Sequence, residues 1–183
     1  MSSKRRNGTV LAILVLAVVT ATVSIPYLFA AGDARRPEAE AVVTKLDLPP
    51  GVSIDSLQKA YVEEVVDGDT ADVLIDGRMY RVRYYGVDTP ERGQKCFREA
   101  TDRNQQLVVA GENVYLLKDA REFDEFNRLL RYVFLKDGTS VDATLVAEGY
   151  GEAWRRDGRY RDQIIALQSE AETANRGCLA TID

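Results

Sequence analysis

Residues 61–87 read YVEEVVDGDTADVLIDGRMYRVRYYGV, and this stretch decides the fold. Positions 61–66, 71–75 and 79–87 are rich in β-branched and aromatic residues, which suit a pleated, half-buried surface. Between them stand Asp67-Gly68 and Asp76-Gly77, nine residues apart. Asp-Gly supplies the positive φ angles that tight hairpins need, so the stretch predicts a three-stranded meander.

Toward the C-terminus, residues 97–110 place Phe97, Ala100, Leu107 and Val108 at helical spacing, and Gly111 stops them. Residues 113–118 and 129–135 read as two further strands, the second halted by Asp137-Gly138. Ser140 is an N-cap for a short helix over 141–148, which Gly149 closes. A last helix over 160–175 gathers Ile164, Leu167, Ala171 and Ala174 on one side and ends before Gly177. The order βββ-α-ββ with trailing helices predicts an α+β fold: a five-stranded OB-fold barrel with three helices, preceded by an N-terminal hydrophobic helix.

That N-terminal helix is read from Lys4, Arg5 and Arg6, followed by 22 uncharged residues at 10–31. At ~1.5 Å rise per residue the run matches a bilayer core, which allows a retained signal anchor. Pro26 and the small residues Ala30, Ala31, Gly32 and Ala34 equally allow a cleaved signal peptide. Either way the basic end stays inside and the rest of the chain is exported. The domains expected are a signal anchor or signal peptide over 1–31, an Ala-, Glu- and Pro-rich linker over 32–56, and a folded domain over 57–183. Only two cysteines occur, Cys96 and Cys178, both on the exported side. An even count in an oxidising compartment favours a disulfide, and two separate thiols are the alternative.

The 183 residues carry 24 Lys plus Arg against 29 Asp plus Glu and no histidine. The missing imidazole excludes Ser/His/Asp and Cys/His triads and Cys/His zinc sites. From residue 57 onward there are 18 basic and 24 acidic residues, so the domain itself is acidic and does not hold nucleic acid by bulk charge.

Three clusters remain for chemistry. Asp67-Gly68-Asp69-Thr70 lies at a hairpin tip, where Asp-Gly also has a purely structural use. Asp88-Thr89-Pro90-Glu91 follows the strand that carries Arg83, and Pro90 holds the chain extended. Arg83 and Asp88, five apart, fall on opposite faces of a flat strand unless Gly86 hosts a bulge. Residues 124–128 are a polar loop leading into an apolar strand. Together the clusters offer carboxylates and a carbonyl for a hard cation, two arginines for a phosphoryl group, and a carboxylate for water.

At this point the sequence resembles the staphylococcal nuclease (thermonuclease, micrococcal nuclease) family. The matching blocks are Val66-Asp67-Gly68-Asp69-Thr70, Arg83 followed by Val87-Asp88-Thr89-Pro90-Glu91, Asp124 with Phe126-Asn127-Arg128-Leu129-Leu130, and Leu145-Val146 with Gly149. The resemblance runs from about residue 60 to about 178. It implies an OB-type barrel and a Ca²⁺-dependent endonuclease acting on DNA or RNA; a monomer is expected. It implies Asp69, Asp88 and the Thr89 carbonyl as Ca²⁺ ligands, Glu91 as the group that orients or deprotonates water, and Arg83 and Arg128 as phosphate ligands. Glu125 and Phe126 stand where the best-known member has Lys and Tyr, and Trp154-Arg155-Arg156 where it has tyrosines that pack on the nucleotide. Phe126, Trp154 and Arg155 are the candidate substrate contacts. A core role for Trp154 and a solvated face for Arg155, Arg156, Arg159 and Arg161 are the alternatives. Two rival readings are a non-catalytic OB-fold nucleic-acid-binding module and an exported partner-binding domain.

Overall fold

Two-residue periodicity in the first three strands becomes a barrel wall in the computed structural model, which describes Val42 and residues 44–178. β1 (Gln58–Val65), β2 (Thr70–Ile75) and β3 (Arg78–Tyr84) form the expected meander. Alternate residues such as Ala60, Val62, Val73 and Val82 are buried. The β2–β3 turn has Asp76 at φ 50° and Gly77 at φ 76°, the left-handed pair that a two-residue hairpin requires. After a short 3₁₀ turn (Ile54–Ser56) and this meander come β4 (Val87–Asp88), α1 (Phe97–Leu107), β5 (Asn113–Leu117), β6 (Leu129–Phe134), α2 (Val141–Ala147), β7 (Glu152–Ala153) and α3 (Arg161–Thr173).

The barrel order is β1-β2-β3-β6-β5, closed by β5 on β1. All its pairs are antiparallel except β3–β6, where Val82, Arg83 and Tyr84 run parallel to Leu129, Leu130 and Arg131. β6 is buried along its whole length, in keeping with a run that is apolar at every position but Arg131. The core runs from the barrel interior to the buried α2 residues Leu145 and Val146 and to Ile164 of α3. At α2, the Ser140 hydroxyl accepts the Ala143 N–H as the predicted cap.

Three expectations change. The strand predicted over 79–87 breaks at Tyr85–Gly86. There the Gly86 N–H donates to Asp142 Oδ1 at 2.8 Å and the Gly86 carbonyl accepts from Trp154 N–H at 3.0 Å. The chain thus leaves the barrel and pairs as β4 with β7 in a separate two-stranded sheet. The helix predicted over 97–110 ends at Leu107, because Val108 turns extended to bury its side chain. The second half of the linker predicted over 32–56 packs on the domain. Leu46 is buried, Lys45 bridges Thr139, Ser140 N–H donates to the Thr44 carbonyl, and the Tyr160 hydroxyl donates to the Asp47 carbonyl at 2.8 Å.

The hydrophobic run over 10–31 lies outside the described residues, among which no helix is long and apolar enough to cross a membrane. Cys96, at the N-terminus of α1, is joined in a disulfide to Cys178, with Cα atoms 5.6 Å apart.

Candidate active site

The break at Gly86 is what brings the acidic clusters together, because it carries β4 back past the end of β3. Arg83, on β3, is 8% exposed and has its guanidinium between two carboxylates. Its Nε lies 3.1 Å from Asp69 Oδ1 and its Nη2 2.5 Å from Asp88 Oδ1. Nη1 donates to the carbonyls of Tyr84 and Val87 at 2.6 and 2.5 Å. The five-residue spacing that separates Arg83 from Asp88 in a flat strand is overcome by this turn and not by a bulge within the strand.

Asp69, 5% exposed, is held from every side. Its Oδ2 accepts the Thr89 N–H and hydroxyl at 2.7 and 2.8 Å, and its Oδ1 accepts the Thr70 hydroxyl at 3.1 Å. Burial pushes its carboxyl up to about 6, opposed by Arg83, reinforced by Asp67 and opposed again by the Thr89 donors. Gly68 serves this contact. Its φ is not in the left-handed region, but a Cβ there would meet Thr89 Oγ1 at 2.6 Å, so the glycine gives Thr89 room to reach Asp69.

The third cluster is shaped by Asp124, whose Oδ1 accepts the N–H groups of Phe126 and Arg128 at 3.0 and 2.8 Å. Its Oδ2 accepts Arg128 Nε at 2.6 Å, and Asn127 at φ 62° completes the turn. Burial raises the Asp124 carboxyl, yet the Arg128 N–H and guanidinium outweigh it and leave the group below its ordinary value. Phe126, 72% exposed, lies against the Arg128 guanidinium at 5.4 Å.

An open cleft of about 340 Å³ lies between these elements and is lined by Arg83, Asp88, Glu91, Phe126, Arg128 and Trp154. Six sequence-predicted residues therefore meet in one place. Asp69 and Thr89 are not part of the lining; they are buried behind Arg83 and Asp88. Glu91 is exposed, and its carboxylate has no hydrogen bond or ion pair among the described residues, while its N–H is held by Gln94 Oε1 at 2.7 Å. Arg155 is turned away, with Nη2 on Gln168 Oε1 at 3.2 Å. Arg159 pairs with Asp119 and Arg161 with Asp162, so those two follow the solvated-face reading.

Arg121 and Arg156 line the cleft instead, on the Trp154 ring at 5.8 and 4.9 Å. Asp157 fixes the group by accepting Trp154 Nε1–H at 2.8 Å and pairing with Arg121 at 2.7 Å. Nothing in the local sequence marks Arg121. Asp124 is marked by an Asp placed two residues before an aromatic and three before an Asn, a turn pattern.

Asp69, Asp88 and the Thr89 carbonyl fit a hard cation, since every donor is oxygen. Two protein carboxylates make a sparse set. No group of three or more His, Cys, Asp or Glu residues gathers among the described residues, so water or phosphate oxygens would complete the coordination.

Barrel, cleft and an arginine–carboxylate lining together make a site suited to an anionic group and built without histidine. Comparison with known proteins makes this specific. The family model described as staphylococcal nuclease homologue matches residues 81–179. Endonuclease YncB of Bacillus subtilis (strain 168) is 30% identical over 150 residues, covering 77% of this chain and 71% of the relative. Micrococcal nuclease of Shigella flexneri is 29% identical over 153 residues, covering 79% and 84%. Thermonuclease of Staphylococcus hyicus is 32% identical over 130 residues, covering 67% and 76%. The chain belongs to the staphylococcal nuclease family and is a nuclease.

Proposed function

We propose that this nuclease hydrolyses DNA or RNA phosphodiesters in a Ca²⁺-dependent reaction, with Glu91 as the water-directing carboxylate and Arg83 and Arg128 as the phosphate-binding cations. The observation that carries the reading is the convergence of Arg83, Asp88, Glu91 and Arg128 on one open cleft from three separate segments of chain. Asp69, Asp88 and the Thr89 carbonyl are the proposed Ca²⁺ ligands, and the ion when bound supplies Lewis-acid polarisation of a phosphoryl oxygen. Glu91 suits its role because its carboxylate is exposed in the cleft and uncommitted to other side chains, leaving it free to accept a proton from water. Arg128 is fixed by Asp124 and presents a planar guanidinium to phosphate oxygens, and Arg83 offers a second from the cleft floor. Trp154 and Phe126 offer faces for bases, since stacking accepts any base.

The test is cleavage of single-stranded DNA, duplex DNA and RNA by the purified chain with Ca²⁺, with Mg²⁺ and with chelator. Cleavage with Ca²⁺ that stops on chelation is the expected result. Binding without cleavage under all three conditions overturns the enzyme assignment in favour of a binding module. We propose further that the domain works as a monomer, and outside the cytoplasm on the strength of the basic residues and uncharged run at 4–31 and of the paired cysteines. Fractionation of cells and sizing of the product test this.

A further inference from the structure

A second cavity, of about 410 Å³, lies outside the catalytic cleft, and one stretch of chain walls both. Arg121, Asp124 and Leu130 face the cleft; Glu122, Phe123 and Arg131 face the second cavity. Two of its features are costly, a buried arginine and an exposed aromatic ring. Arg131 is 4% exposed within a strand whose other residues are aliphatic or aromatic. Its terminal nitrogens are used on the carbonyls of Leu130 and Glu122 and on the Glu122 carboxylate, but its Nε has no hydrogen-bond partner among the described residues. Buried donors left unpaired are rare in folded proteins and carry a free-energy cost. Beside it, Phe123 leaves 46% of its surface exposed, and Arg78 on β3 is exposed as well. Lys118 pairs with Glu122 at 2.6 Å, and the lining itself sets Arg78 and Arg131 against Asp76 and Glu122, in a chain whose net charge is −5.

We infer that this cavity is a second nucleotide subsite, which takes a phosphate and a base of the same single strand whose scissile bond lies in the catalytic cleft. The inference rests on the nuclease reading of that cleft. Continuity argues for the strand. Phe126 stands exposed on the cleft side of the wall and Phe123 on the cavity side, three residues apart, so consecutive bases meet a ring on each side of the loop. Arg78, exposed and without an ion pair among the described residues, is the group that receives the phosphate. The strand is single because a base must be unstacked to lie on Phe123. An acidic chain that stacks bases at two points holds its substrate with few ionic contacts.

The test uses the full chain with two substrates: a 4-nitrophenyl diester of thymidine phosphate, too short to cross the loop, and an oligothymidylate of about 12 nucleotides, within the range one such barrel covers. Phe123→Ala is expected to raise KM for the oligonucleotide about 5- to 100-fold, with kcat unchanged. KM and kcat for the diester stay within about twofold of wild type, as expected for a contact the diester does not reach. Arg78→Ala is expected to reduce the slope of log KM against log salt by about 0.7 on the oligonucleotide, the value of one phosphate contact on a single strand. An oligonucleotide KM unmoved by both variants overturns the subsite, as does an equal loss on both substrates. An equal rise in KM on duplex DNA overturns the single-strand assignment. If the wild type cleaves neither substrate, the nuclease reading fails and the subsite with it.

Discussion

Arg83 is both a candidate catalytic group and a structural one. Its guanidinium joins Asp69, Asp88 and two main-chain carbonyls, and removing it strands a carboxylate that is 5% exposed. Breaking such a buried pair from one side typically costs ~3–5 kcal/mol. Arg83→Ala is therefore expected to lower the melting temperature as well as the activity. Glu91→Ala is expected to melt as wild type and Arg128→Ala to melt somewhat lower, since it leaves the 12%-exposed Asp124 carboxylate with backbone donors alone, and both to lose at least about a hundredfold in turnover, the usual effect of removing one transition-state contact. Near-wild-type cleavage by Glu91→Ala removes Glu91 from its role. Asp142 is a third residue to test. Fully buried, it accepts the Gly86 and Val133 N–H groups at 2.8 and 2.9 Å and so holds the turn that positions Asp88. Burial pushes its carboxyl up to about 6, against those backbone donors. A carboxyl raised on folding weakens the native state as it ionises, so its contribution falls as pH rises from about 4 to about 6. The change is about 3 kcal/mol at 1.36 kcal/mol per pH unit. The stability difference between wild type and Asp142→Asn, followed by denaturant melts across this range, is expected to show that slope; a flat difference overturns it. The main acids and arginines were legible in the sequence because their chemistry is carried by residue type. Asp142 was not, since an Asp in the first turn of a helix looks like a surface residue until Gly86 and Val133 come to it from elsewhere in the chain.

At the scale of elements, the β1–β2 connection does more than reverse the chain. Asp67-Gly68 reads as a tight-turn signal, yet Gly68 is required by the residue packed directly against it, Thr89. Gly68→Ala is expected to cost ~1–3 kcal/mol through overpacking and to lower activity further by displacing Thr89 from Asp69. Equal melting and cleavage by this variant and the wild type would show that Thr89 has room to move. Five barrel strands and three helices were legible, because hairpin turns and apolar periodicity are local. The break in β3 was not, because the partners of Gly86 lie at Asp142 and Trp154. The strap over residues 44–47 was also missed, as its Ala-, Glu- and Pro-rich surroundings resemble a linker and only Leu46 enters the core.

For the whole molecule, the Cys96–Cys178 bond fastens Cys178 to the N-cap residue of α1, five positions after Glu91. Joining residues 82 apart contributes up to about 4.5 kcal/mol in the chain-entropy account. Reduction, or Cys96→Ser with Cys178→Ser, is expected to lower the melting temperature by several degrees, and an unchanged melt would show that the bond does not form in solution. The parallel pairing of β3 with β6 has a temporal consequence. Antiparallel hairpins zip locally, but β6 meets β3, and β5 meets β1, only after more than forty intervening residues have been made and placed, so barrel closure is expected to be the slow event of folding. Arg83 is in register with Leu130 across that seam, and Arg128 sits just before it. A nascent or partly unfolded chain therefore has no assembled cleft, and a cell making this enzyme is spared its activity until the last strand is in place.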